Sequence, residues 1–108
     1  MRARAGPRQD TYERVFSALA HPARRQILIT LNMEGGSLTA GEIASLFEHA
    51  WPTTTRHLQA LAEAGLVEQE RQGRRQIYRL QRKPLELAKQ WLATFASSVH
   101  PPPGRKGS

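Results

Sequence analysis

Thr53, Thr55, Arg56 and Gln59 lie within one short stretch, Trp51 to Val67, reading WPTTTRHLQALAEAGLV. A guanidinium, an amide and hydroxyls are the groups that hydrogen-bond base edges and phosphate oxygens. Whether they act together depends on the element that carries them. Pro52 suits the first turn of a helix, where its missing N–H would have no partner, and Gly65 after Ala64 suits a left-handed stop. The spacing predicts a helix over 52–64. At 3.6 residues per turn Thr54, Leu58 and Leu61 share one side, while Thr53, Arg56, Gln59 and Glu63 share the other. The first side is a core stripe and the second faces out, the pattern of a recognition helix.

The inventory offers little to catalysis. Asp10 is the only aspartate, cysteine is absent, and the four histidines, His21, His49, His57 and His100, have no carboxylate at ligand spacing. His57 on the expected recognition helix reads as a packing or hydrogen-bonding residue rather than a base. Without cysteine there is no disulfide, thiolate metal site or thiol redox switch. No catalytic residue, metal ligand or cofactor is therefore expected.

Charge points the same way as the helix. Sixteen Lys and Arg against nine Asp and Glu leave a formal +7 on 108 residues, so polyanions are the natural partners. The positive charge is concentrated after Gly65. Residues 71–83 contain six basic residues, Arg71, Arg74, Arg75, Arg79, Arg82 and Lys83, and no acid. The segment LVEQERQGRRQIYRL is rich in strand formers and pivots on Gln72-Gly73, which predicts a hairpin. Such a hairpin is either simply solvated or, as a basic loop beside such a helix more often is, a wing that grips the DNA backbone or minor groove, with Arg74 and Arg75 at its tip.

The remaining elements hold these two in place. Asp10 and Glu13 resemble a capping box, and Tyr12, Val15, Phe16 and Leu19 follow at helical spacing. Pro22 opens a second helix with Ile27, Leu28 and Leu31 as its stripe, ended by Gly35 and Gly36. Arg24 and Arg25 stand near its start, where the helix dipole disfavours cations and either a phosphate or solvent must relieve them. Ser37-Leu38 is long enough only for a stub of strand. Thr39 and Glu42 form another capping box for a third helix carrying Ile43, Leu46 and Phe47, and Glu48 to Ala50 connect it to the recognition helix as a helix-turn-helix. Pro84 opens a last helix with Leu85, Ala88, Leu92 and Phe95 at spacings of three and four, flanked by Leu87 and Trp91. Tyr12, Phe16, Leu19, Trp91, Leu92 and Phe95 exceed what one small core absorbs, which predicts a dimer through the two terminal helices.

With this order of elements the chain resembles the ArsR family of bacterial winged-helix repressors. The resemblance spans about residues 12–95 and is carried by FSALAHPARRQIL at 16–28, TRHLQALAEAGLV at 55–67 and RQGRRQIYRL at 71–80. It implies a homodimer that binds an inverted repeat in a promoter and blocks transcription, with Trp51, Thr55 and Arg56 at the major groove. The chain also departs from the family. Where many members carry a cysteine pair on the third helix this chain has Glu42-Ile43-Ala44-Ser45-Leu46, and the last helix holds only Glu86 as an acid. It therefore looks like the metal-independent members. Thr54 replaces a usually apolar residue, and Ala50 a usual capping serine.

The expected fold is mainly α with a small β-hairpin: a dimeric winged helix-turn-helix of about five helices and a two-stranded wing. A basic arm over 1–10 and a Pro-rich tail over 96–108 are expected to be disordered, flanking a DNA-binding domain over 11–95. No apolar run approaches the ~20 residues of a membrane span, and no signal-peptide core follows the N-terminus, so a cytoplasmic protein is expected. The expected partners are double-stranded DNA and a second copy of the chain, with no membrane and no metal. The competing reading is a winged-helix protein-interaction module that binds no DNA, for which an acidic or apolar recognition face would argue.

Overall fold

The computed structural model describes residues 6–97. Five helices and three strands follow in the order α1 (Gly6–Leu19), α2 (Pro22–Met33), β1 (Ser37–Thr39), α3 (Ala40–Leu46), α4 (Trp51–Glu63), β2 (Val67–Gln72), β3 (Arg75–Leu80) and α5 (Lys83–Ser97). Residues 1–5 and 98–108 of the expected arm and tail lie outside the described residues.

Local chemistry accounts for most of these boundaries. The box before α3 is closed on both sides: the Glu42 amide donates to Thr39 Oγ1 (3.1 Å), and the Thr39 amide donates to Glu42 Oε1 (2.8 Å). Helix α4 ends as its glycine requires, with Gly65 at φ +76° and the Leu66 amide donating to the Leu61 carbonyl at 2.9 Å. Between β2 and β3, Gly73 has φ +62°, the positive value that a type II′ turn requires at its first central residue.

Two expectations are corrected. Helix α1 begins at Gly6 rather than at an Asp10 cap, so residues 6–10, expected in the arm, are helical. A proline such as Pro7 suits a first turn, and it outweighs the box-like Asp10 and Glu13 that follow. Helix α5 runs two residues past the expected limit, to Ser97. The stub at Ser37 also does more than expected. It pairs antiparallel with β3, giving a three-stranded sheet in the order β1-β3-β2 rather than an isolated two-stranded wing.

The core lies between the helices and the inner face of this sheet. Leu31 of α2, Ile43 of α3, Leu58 and Leu61 of α4, and Leu66 are fully buried, and Tyr78 of β3 closes the layer between Leu38 and Gln69. Truncating a buried leucine of this kind costs about 2–5 kcal/mol, so Leu58 and Leu61 fix α4 to the body. Helices α1 and α5 pack on each other at the opposite edge.

Candidate nucleic-acid interface

Helix α4 buries Thr54, Leu58 and Leu61 and turns Pro52, Arg56, Gln59 and Glu63 to solvent. Among the described residues no hydrogen bond or ion pair engages Arg56 or Gln59, so the guanidinium and the amide stand free on one exposed stripe. Trp51, the first residue of the helix, is 38% exposed despite its size. Ala50 at the N-cap supplies no side-chain acceptor; the Thr53 and Thr54 amides bond back to its carbonyl at 3.0 and 3.1 Å.

The two flanking threonines are less open than the helical pattern suggested. Thr53 is half-buried, and so is Thr55, whose hydroxyl oxygen is covered and has no hydrogen-bond partner among the described residues. Thr55 lies about 100° around the axis from buried Thr54, at the border of the core stripe. In this rotamer its hydroxyl does not reach the outer surface.

The wing supplies the second half of the surface. Strand β2 packs on α4, and Arg71, Arg74 and Arg75 are exposed around the turn. Arg79 is different. It forms the one ion pair among the described residues, with Glu70 across the hairpin, and its Nε also donates to Glu70 Oε1 at 3.0 Å. The uncompensated charge is therefore gathered at the tip.

Behind the exposed stripe lies a link that no local sequence signal marks. Arg24 Nε on α2 donates to His57 Nδ1 on α4 at 3.2 Å, and the His21 and His57 rings lie 6.2 Å apart. Burial, followed by the charge of Arg24, holds the His57 pKa below its ordinary value, with smaller contributions from His21, His49 and Arg56. Arg25 Nη1 donates to the Leu19 carbonyl at 2.8 Å. Arg24 and Arg25, whose charge near the start of α2 needs relief, thus have internal partners, and His57 is the hydrogen-bonding residue its position suggests.

At the far edge, Tyr12 and Phe16 of α1 stack at 6.3 Å, Phe16 meets Trp91 edge-on at 5.3 Å, and Trp91 meets Phe95 at 5.0 Å. Trp91, Leu92 and Phe95 are 45%, 57% and 58% exposed. Leu19 stands apart from them, half-buried against the core. Among the described residues no three His, Asp or Glu side chains converge as metal ligands, and no helix is long and apolar enough to cross a membrane.

Comparison with known proteins agrees with this arrangement. Residues 19–70 match a family model described as a helix-turn-helix domain. The chain is 36% identical over 81 residues to the transcriptional repressor SdpR of Bacillus subtilis, an overlap of 75% of this chain and 88% of that one. The chain belongs to the ArsR family of winged helix-turn-helix transcriptional regulators. Two solved ArsR-type structures align over nearly the whole chain. One, a homodimeric winged helix-turn-helix DNA-binding domain of a possible ArsR-family regulator from Mycobacterium bovis, is 30% identical, with a TM-score of 0.68 covering 100% of this chain and 97% of that one. The other, an ArsR family transcriptional regulator, has a TM-score of 0.75 at 28% identity, covering 91% and 96%. In ArsR terms, α3 and α4 are the helix-turn-helix and β2-β3 the wing.

Proposed function

We propose that this ArsR-family chain is a homodimeric repressor that binds an inverted-repeat operator and is not controlled by metal. The observation that carries the reading is the exposed Arg56–Gln59 stripe on α4 beside the exposed Arg71, Arg74 and Arg75 of the adjacent wing, none of them ion-paired among the described residues. Arg56 and Gln59 are the long donors for base edges, Trp51 and Thr53 border them, and the wing arginines take phosphates or the minor groove. The half-exposed aromatic run from Tyr12 through Phe16 and Trp91 to Phe95, with Leu92, serves as the subunit interface, an apolar patch of the kind that a second copy covers. Thr55 flanks Arg56 and Gln59 at the border of the core stripe, with its hydroxyl covered in this rotamer.

Metal independence is supported by the donor set: a zinc site needs about four converging His, Cys, Asp or Glu ligands, and soft ions need thiolates. The test is a gel shift of the purified protein on its own upstream region against a scrambled competitor at moderate salt, repeated with zinc, cadmium and arsenite. Selective retention of the upstream fragment, unchanged by micromolar metal, is expected. Equal retention of both fragments counts against a specific operator, no retention of either favours a protein-interaction module, and stoichiometric release by metal overturns the metal-independent reading.

A further inference from the structure

A cavity of about 400 Å³ opens where the end of α1, the outer side of α2, the end of β3 and the start of α5 meet. Leu19, Leu28, Ile29, Leu80 and Leu85 form its aliphatic wall. The charged groups at the cavity are Arg25 and Arg82, and no acid lines it. We propose that this cavity binds a small amphipathic organic anion, its carboxylate held by Arg25 and Arg82 and its aliphatic body by the leucines and isoleucine.

The volume falls within the range of about 300–1,000 Å³ typical of small-molecule sites, whose walls are mostly apolar with a few orienting polar groups. Arg25 is such a group, and it is already positioned. Its Nη1 donates to the Leu19 carbonyl at 2.8 Å, which ties the guanidinium to the end of α1 and leaves its remaining donors available. Unlike Arg79, which has Glu70, neither Arg25 nor Arg82 has a carboxylate partner among the described residues. Two guanidiniums on an aliphatic wall select a ligand that carries both an anionic head and an apolar body, because each part alone leaves half of the site unmatched. Ile29 lies in this wall and is 50% exposed, so a ligand there would remove apolar surface from water.

The cavity is distinct from the surface assigned to the second subunit. Tyr12, Phe16, Trp91 and Leu92 line a separate cavity, and none of them lines this one.

The test uses the full chain without DNA, so a failure here leaves the operator reading standing. Leucine and isoleucine methyl NMR is followed while sodium octanoate, octan-1-ol or octylamine is added, three probes with one aliphatic body and different heads. Octanoate is expected to shift the Leu19, Ile29, Leu80 and Leu85 methyls saturably, with octanol roughly tenfold weaker, as expected for loss of a charge-assisted contact, and octylamine without effect. Arg82→Gln, at an exposed side chain with no ion pair among the described residues, should weaken octanoate roughly tenfold and leave octanol unchanged, and Arg25→Gln should do the same. The proposal is overturned by equal binding of octanol and octanoate, by unchanged octanoate affinity in both variants, by shifts centred on Leu92, or by no shift up to about 10 mM.

Discussion

Arg24 Nε and His57 Nδ1 meet at 3.2 Å, a hydrogen bond that ties α2 to the inner side of the recognition helix and that only an imidazole unprotonated at Nδ1 can accept. Protonating His57 replaces that acceptor with a cation facing Arg24, in a half-buried setting that already disfavours charge.

The stability consequence has a definite sign. His57 has a folded pKa below its ordinary value of 6.5, so below pH 6.5 the unfolded chain takes up the proton first. Its contribution to stability is fully present above pH 6.5 and is lost as the pH falls toward the folded pKa. Thermal midpoints of wild type and His57→Gln between pH 5 and 8 should show a steeper acid-side decline in the wild type. Parallel profiles would remove His57 from the acid response.

Arg56 is exposed and makes no hydrogen bond or ion pair among the described residues, so its removal is expected to leave the fold intact. Arg56→Ala should weaken operator binding by about 1–3 kcal/mol while leaving the melting temperature within error of wild type. Fluorescence anisotropy on a labelled operator, paired with a thermal melt, checks both halves, and an unchanged affinity would move the recognition surface elsewhere on α4.

At the wing tip the expected effect is on electrostatics rather than on sequence preference. The Arg74→Ala/Arg75→Ala double variant should lose affinity for operator and random DNA alike. Its plot of log affinity against log salt should flatten by about 0.9 per lost phosphate contact. An unaltered slope would leave the tip arginines simply solvated. Arg79→Ala should change the slope less, since Glu70 already neutralises that guanidinium.

Trp91 stands at the middle of the aromatic run, between Phe16 and Phe95. Trp91→Asp should raise the monomer fraction in sedimentation and abolish cooperative binding to a two-half-site operator, while a single half-site keeps its weak affinity. A wild type that sediments as a monomer at micromolar concentration would contradict the assignment.

Features set by neighbours in sequence were legible before the structure. The Thr39–Glu42 box, the Gly65 stop and the Gly73 turn each depend on residues a few positions apart, and each forms as its chemistry requires. The buried stripe Thr54, Leu58 and Leu61 followed from helical period alone. The start of α1 is not legible in the sequence, because Asp10 and Glu13 imitate a cap inside a helix that begins at Gly6. Long-range pairing was not legible: β1 joins β3 across about forty residues of chain, and Arg24 reaches His57 across 33. The Thr55 hydroxyl was beyond reach for another reason, since helical position sets a side chain's azimuth but not the rotamer of a β-branched residue at the border of the core.

Leu58 and Leu61 are fully buried and β2 packs on the same helix, so α4 and the wing are expected to move as one unit, a reading head. If two such heads associate through the proposed aromatic surface of α1 and α5, that interface is the joint left to adjust between them. Substitutions within a half-site should therefore be poorly tolerated, whereas small changes in the spacer between half-sites should be absorbed by a pivot of one subunit against the other.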